Sequence, residues 1–466
     1  MSDNNLIEKL IVEMEQKYGD GTAKIDFDAF GNFDNVLDAI AAAKSSQLEL
    51  MSMTMKKRNE MIQAMRTASL DNAEKLAIMA FEETGFGRVE DKVIKNILAA
   101  EKTPGTEDLK SHTFTGDDGM TLIEQAPFGV IGSITPSTNP SSTVINNSIS
   151  MIAAGNGVVF NPHPSAKKVC LETISILNKA IYSVGGPKNL LAAPINPTMD
   201  TSKVIMTHKD IRMLAVTGGE AVVEIAMKSG KKVIAAGPGN PPVIVDETAD
   251  IKKAASDIVK GSSFDNNVLC IAEKEAFIVN SVFDDVKYEM TRNGAYELKK
   301  SDIATVTREL FVQKNGATVV NRKYVGKYAS DLLKACGINT NDDVRLIIAE
   351  VPSDHPFVTI EMLMPVLGLV RVYSVEEAIS KAVEAEKGYH HTAVMHSESV
   401  TNLTLAARAL DTTIFVKNAP SYAGLGIEGE GFTTLTIATP TGEGLTSARS
   451  FTRTRRCTLS GGFRII

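Results

Sequence analysis

The spacing of apolar residues changes character along this chain. Leu6, Ile7, Leu10, Ile11 and Met14 follow helical spacing and form one apolar stripe. The run Lys17 to Gly21, with two glycines, breaks it. A stripe of a few turns is marginal alone and needs a partner surface. Residues 34–100 read as long helices, with Asp71 and Glu74 predicting a helix start and Gly85 a stop. From Phe128 the pattern becomes short apolar runs. Residues 129–134 predict a buried strand, followed by a polar loop at 135–141 and a helix to about residue 154. Residues 157–160, 190–193 and 213–216 predict further strands. A helix over 165–183 ends at Gly185-Gly186, and Thr217-Gly218-Gly219 opens another. Alternating strands and helices mean a parallel sheet with crossovers. Ligands in such folds sit beyond the carboxyl ends of the strands, so the loops at 135–141, 161–165 and 217–219 converge on one edge.

A second alternating series starts near residues 243–245. It continues with a helix at about 249–260 and strands at 275–279, 345–351 and 367–372, and reads as a second α/β domain. Residues 433–438 and 457–466 read as extended segments after its end, suited to an arm that pairs with another subunit.

A length of 466 residues fits two or three domains. The formal net charge of -7 disfavours nucleic acid as a partner, and the basic run Arg453-Thr454-Arg455-Arg456 is too short to change that. Cys170, Cys270, Cys336 and Cys457 are far apart, which argues against a zinc site or disulfide framework and fits a reducing cytosol. No apolar run approaches the roughly 20 residues that span a bilayer. The N-terminus lacks the basic-then-apolar order of a secretory signal.

Chemistry concentrates at residues 261–270, a Ser/Asp/Asn-rich loop between a helix and a strand that ends in Cys270. Free backbone amides or a nearby cation there would stabilise a thiolate, and the same amides could hold an oxyanion. Alone, a single cysteine is more often a buried apolar residue. Asn139-Pro140, alone, reads as a turn. The helix after Thr217, Gly218 and Gly219 offers N–H groups to a pyrophosphate. A literal Gly-x-Gly-x-x-Gly at Gly424, Gly426 and Gly429 lacks a following helical pattern and is not read as a dinucleotide fingerprint. His390, His391 and His396 are too few for a metal site and read as packing or cleft-wall residues.

The segments Pro127 to Pro140 (PFGVIGSITPSTNP), Gly237 to Asp246 (GPGNPPVIVD), Ser263 to Asn267 (SFDNN) and Thr412 to Asn418 (TTIFVKN) resemble the aldehyde dehydrogenase superfamily. The resemblance runs from about residue 30 to the end. It is to the coenzyme A-acylating branch, the propionaldehyde and acetaldehyde dehydrogenases of bacterial microcompartments. It implies an aldehyde dehydrogenase-like α/β fold of two open α/β domains, cofactor-binding and catalytic, with a β-arm for oligomerisation. The implied boundaries are 1–20 for a targeting helix and linker, 21–235 for the NAD and coenzyme A domain with arm strands at about 112–126, 236–432 for the catalytic domain, and 433–466 for the C-terminal arm.

By that resemblance Cys270 is the nucleophile and Asn139 the amide supporting the oxyanion. NAD lies against Thr135, Pro136, Ser137, Thr138, His163, Thr217, Gly218 and Gly219. Glu361 contacts the nicotinamide ribose, although Glu361 to Pro365 (EMLMP) departs from the superfamily's usual Phe-Gly-Pro continuation. The lysine that elsewhere holds the adenosine ribose is replaced near Asn161 to His163, which leaves NAD against NADP open. Coenzyme A shares the same groove. Hydrolytic members carry a glutamate before a Gly-Gly pair; the stretch here, Ile234 to Gly239 (IAAGPG), has no carboxylate. Without that base water is a poor nucleophile, whereas a thiol is already partly ionised near neutral pH. The implied reaction takes a short-chain aliphatic aldehyde, NAD and coenzyme A to acyl-CoA and NADH; the alternatives are a non-acylating dehydrogenase giving free acid, and a scaffold protein with an idle site. The resemblance also implies a homodimer or homotetramer in the cytoplasm, inside a bacterial microcompartment. Residues 1–18 resemble an encapsulation helix for a shell protein.

Overall fold

A computed structural model describes residues 30–340 and 343–466. The stripe at residues 6–14 and the segment 1–18 lie outside the described residues. The first strand, β1 (Asn32–Phe33), leads into four helices: α1 (Val36–Met51), α2 (Met55–Asp71), α3 (Ala73–Thr84) and α4 (Val89–Lys102). Asn35 caps α1 by accepting the Leu37 N–H, and Thr54 caps α2 by accepting the Lys57 N–H. The expected start at Asp71 falls one residue later. Asp71 ends α2, and the capping residue of α3 is Asn72, whose side-chain amide turns back to the Ala68 carbonyl at 2.8 Å. Gly85 stops α3 as expected, in the left-handed region at φ 66°.

An antiparallel hairpin, β2 (His112–Gly116) and β3 (Gly119–Pro127), precedes the first open sheet. That sheet is built from β4 (Val130–Thr135), α5 (Pro140–Ala153), β5 (Gly157–Pro162), α6 (Lys167–Ser183), β6 (Leu191–Pro194), α7 (Met199–Thr207), β7 (Ile211–Thr217), α8 (Glu220–Met227) and β8 (Lys232–Ala236). Its order is β1-β6-β5-β4-β7-β8, parallel throughout. Every residue of β4 and β5 is buried. Strands covered on both faces read as continuous apolar runs, which is why they stood out. Helix α7 was not anticipated. Its capping box pairs Thr198 with Thr201, and a threonine in the second position is a weaker signal than the usual Glu or Gln.

The second sheet uses β9 (Pro242–Val245), α9 (Ile251–Ser263), β10 (Glu275–Val279), α10 (Asn280–Arg292), β11 (Ala295–Glu297), β14 (Leu346–Glu350), β15 (Val366–Val372), α11 (Val375–Glu386), β16 (Thr392–His396), α12 (Val400–Leu410) and β17 (Ile414–Lys417); a separate hairpin, β12 (Phe311–Lys314) and β13 (Ala317–Val320), intervenes. The order is β11-β14-β15-β10-β9-β16-β17, again parallel. The two extended segments after it differ. Residues 433–438 tuck inward: Thr433, Thr434 and Thr436 are buried, and Asn146 and Asn147 of α5 bond to this stretch. The arm strand is Thr452–Ser460. It runs antiparallel along the whole of β3 in the same chain, Thr452 opposite Pro127 and Ser460 opposite Gly119, leaving its other edge open.

Candidate active site

After α9 the chain makes one tight turn at Phe264–Asn267. Asp265, Asn266 and Asn267 take successive left-handed conformations with φ of 48°, 52° and 65°. Asp and Asn tolerate this region best, at a cost of order 1 kcal/mol each. Their side chains are clamped from a distant helix. The Asp265 carboxylate accepts the Arg88 N–H at 2.7 Å, the Lys92 ammonium at 3.0 Å and the Lys95 ammonium. The Asp265 N–H donates to Asp91 at 2.8 Å. Asn266 accepts from Arg88 Nε and donates to the carbonyls of Gly87 and Gly326. Gly87 is required here: a Cβ on it would sit 1.9 Å from the Asp265 carboxylate. Asn267 donates to the Ser262 and Glu273 carbonyls and accepts Lys274 Nζ at 2.6 Å.

This clamped turn delivers Cys270, half-buried at the junction before β10. Burial pushes its thiol up to about 11, and the nearby Glu361 carboxylate acts in the same direction; Lys274, a backbone N–H and Lys95 oppose them. Glu361 is half-buried and accepts the Gly239 N–H. Gly239 is crowded: a Cβ there would lie 2.9 Å from His391 Cγ and 3.2 Å from the Cys270 carbonyl oxygen. The structure therefore brings Cys270, Glu361, Gly239 and His391 together. The His391 N–H donates to Glu386 at 2.9 Å, and its Nε2 is buried without a partner among the described residues. Burial, helped by the Lys274 charge, pushes its pKa down to about 4, so the imidazole is neutral.

Lys274 is the cation beside the thiol. Its Nζ also donates to the carbonyls of Asn267 at 3.0 Å and Leu269 at 3.2 Å. The carboxylates of Glu361, Glu275 and Glu273 and the Cys270 thiol all face its charge. Removing a cation from beside a thiol raises the thiol's pKa. Lys274→Met is expected to displace the pH profile of Cys270 alkylation by iodoacetamide about one unit to the alkaline side, slowing it about tenfold at pH 8. An unmoved profile would show that this charge does not govern the thiol.

Asn139 is the capping residue of α5, 6% exposed, at the carboxyl end of β4. Its Oδ1 accepts Lys95 Nζ at 2.6 Å and its Nδ2 donates to Thr138 Oγ1 at 3.2 Å. Lys95 thus touches Asn139 and Asp265 while its charge reaches Cys270, linking the two sheets at this point. Thr135 ends β4 and is buried; Pro136, Ser137 and Thr138 are half-buried. Thr217 ends β7 and Gly218 follows it, both half-buried, with Gly219 exposed. His163 follows β5 and is exposed, its Nδ1 turned to Ser165. Since β5, β4 and β7 are neighbours, the three loops share one edge. His163 stands apart from the thiol cluster. Partial desolvation of its ring by neighbouring groups, then the Arg322 charge, lower its pKa.

The α8 terminus fits a nucleotide phosphate. No side chain caps it, and a Cβ on Gly218 would meet nothing closer than 3.9 Å and one on Gly219 nothing within 4 Å. Open backbone N–H groups at a helix start suit an anion. By contrast, Gly424, Gly426 and Gly429 follow β17 in a turn with no α-helix after it; a Cβ on Gly424 would collide with Ile414 and one on Gly429 with the Ala423 carbonyl. These glycines serve close packing.

Reading the sequence missed Arg88, Asp91, Lys92, Lys95, Lys274 and His391's place against the thiol loop. Charged residues at helical spacing suggest a solvated face, yet in α4 Asp91, Lys92 and Lys95 are buried while Ile94 is 41% exposed. That inversion is legible only once the opposing carboxylate is known.

The aldehyde dehydrogenase family model matches residues 29–428. An acetylating acetaldehyde dehydrogenase of Salmonella typhimurium is 51% identical over 439 residues, covering 94% of each chain. The structure of a propionaldehyde dehydrogenase from the Clostridium phytofermentans fucose utilisation bacterial microcompartment is similar at a TM-score of 0.92 and 48% identity, over 94% of this chain and all of that one. A Rhodopseudomonas palustris propionaldehyde dehydrogenase, solved with bound CoA and an acylated cysteine, is similar at 0.91 and 48%, over 93% and 99% of the two chains. With two parallel sheets, a clamped cysteine turn between them and a family match over most of its length, the chain belongs to the aldehyde dehydrogenase family.

Proposed function

We propose that this protein is a coenzyme A-acylating aldehyde dehydrogenase, converting a short-chain aliphatic aldehyde, NAD⁺ and coenzyme A into acyl-CoA and NADH. The observation that carries the reading is the clamped turn that offers the half-buried Cys270 thiol beside Lys274 and Glu361, with the Asn139 amide fixed through Lys95. The Cys270 thiol loses its proton to solvent, and its sulfur bonds to the aldehyde carbon as the carbonyl π pair moves onto oxygen. The Asn139 amide and the Cys270 backbone N–H hold the negative charge that develops on oxygen. A nicotinamide nucleotide held by Thr135 to Thr138 and the start of α8 would supply the acceptor for the hydride leaving that carbon, and coenzyme A would supply the thiol that carries the acyl group away. Cys270 holds the acyl group as a thioester in between and leaves as thiolate, aided by the Lys274 charge. His391 is neutral and packs against Gly239 beside the thiol loop. The N–H groups at the start of α8 hold phosphate, and Thr135 to Thr138 line the nucleotide groove beside Asn139.

The stretch 234–239 supplies no carboxylate to direct water at the thioester. Omitting coenzyme A is therefore expected to leave a burst of about one NADH per active site, then a steady rate lower by about tenfold or more. Steady NADH formation indifferent to coenzyme A would favour the free-acid reaction.

The protein works as a homodimer or homotetramer. Support comes from the arm: β2 and Thr452–Ser460 are largely exposed, with Phe114, Leu459 and Phe463 presenting apolar surface. A microcompartment is the setting, and residues 1–18 are its docking segment for a shell protein. The reading is supported by the microcompartment origin of the Clostridium phytofermentans relative and by the apolar stripe at 6–14.

A further inference from the structure

We propose that Lys95 is a positioning residue: its buried ammonium pins the carbonyl oxygen of the Asn139 side chain so that the amide N–H groups face the reacting carbonyl, and fixes that amide to the turn presenting Cys270. This rests on the reading of Asn139 as the oxyanion donor.

A primary amide can present either its oxygen or its nitrogen to a ligand, and its two ends have nearly the same shape. The choice at Asn139 is made by a donor that cannot accept. Lys95 is 2% exposed, and its Nζ lies 2.6 Å from Asn139 Oδ1. With the oxygen so engaged, Nδ2 is turned the other way, where Thr138 Oγ1 accepts one N–H at 3.2 Å.

The charge count around Asp265 points the same way. The Arg88 guanidinium, bonded to Asn266, and the Lys92 and Lys95 ammoniums bring three cations to a buried cluster whose carboxylates are Asp265 and Asp91. At the rim, Arg345 is 4.0 Å from both Glu90 and Asp91, and Glu90 is 3.7 Å from Arg88. The Asp265 carboxylate is already satisfied by the Arg88 N–H and the Lys92 ammonium. Lys95 adds a second buried ammonium on the same oxygen, Oδ2. Burying an extra cation is costly unless it has further work. Its other contact is Asn139, and its field reaches the Cys270 sulfur. A positive charge placed behind an oxyanion donor strengthens that donor when negative charge appears on the substrate.

The test is a double-mutant cycle on the full-length enzyme with NAD⁺, propionaldehyde and coenzyme A. Lys95→Met is expected to lower kcat by about 10- to 100-fold. KM for NAD⁺ should stay unchanged, and alkylation of Cys270 by iodoacetamide, which needs no oxyanion, should slow by only about twofold to threefold through loss of the Lys95 field, far less than kcat. Added to Asn139→Ala, the same change is expected to cost less than about threefold, because the two residues act as one unit. Should Lys95→Met fail to fold, Lys95→Gln carries the same readouts in both backgrounds. Full multiplication of the two losses, or an alkylation rate that falls in step with kcat, would overturn the proposal. An Asn139→Ala enzyme with undiminished kcat would instead sink the oxyanion reading on which it stands.

Discussion

Cys270→Ala enzyme, given aldehyde, NAD⁺ and coenzyme A, is expected to form NADH at least about 10⁴-fold more slowly than the parent, because removing a covalent nucleophile removes the pathway itself. The substitution is small and the side chain half-buried, so the fold should survive it. The turn is held by Asp265, Asn266 and Asn267 through contacts that do not involve the sulfur. NAD⁺ binding, followed by quenching of NADH or by calorimetry, should be unchanged. No alkali-labile acyl group should remain on the protein after reaction with propionyl-CoA. NADH formation at the normal rate would mean that another group carries the chemistry.

The second large effect is at Asn139. Asn139→Ala is expected to lower kcat by about 10² to 10³, equivalent to roughly 3–4 kcal/mol of transition-state stabilisation, with KM for the aldehyde little changed. Such a split marks an interaction made mainly in the transition state. Here the loss has a second source. Asn139 Oδ1 is an acceptor for Lys95, so truncation leaves a buried ammonium with one partner fewer. A thermal melt run alongside the kinetics separates the two: the kinetic loss should exceed anything explained by a shift of a few degrees. Equal losses in kcat for Asn139→Ala and in the fraction of folded protein would reduce the residue to a structural role.

Much of the fold was legible because its strands are buried on both faces. The runs at 129–134, 157–160 and 275–279 are mostly apolar without alternation, Ser133 and Glu275 apart, and β4, β5 and β10 lie there. Strands such as β1, with two residues, and β11, with three, carry too few positions to show any period. The arm was only half readable. Residues 433–438 are extended like an edge, but their threonines satisfy Asn146 and Asn147 inside the molecule, and hydroxyl-bearing residues look the same in either setting. For the site, the position of Cys270 came from a family likeness, and its local cue was the Asp-Asn-Asn run. What that run does is a matter of long-range contact. The charged residues at the start of α4 that clamp it sit 170 or more positions earlier in the chain, where their charges imitate an ordinary solvated helix face.

That separation makes the reactive centre a late product of assembly. The left-handed turn at 265–267 has no reason to persist until Arg88, Lys92 and Lys95 dock onto it. Contacts this distant along the chain form slowly. While the polypeptide is still incomplete or partly folded, its cysteine is an ordinary side chain on a flexible segment, with neither an oriented amide nor a fixed ammonium nearby. Aldehydes are toxic electrophiles, and the chain arms itself against them only when both halves are in place.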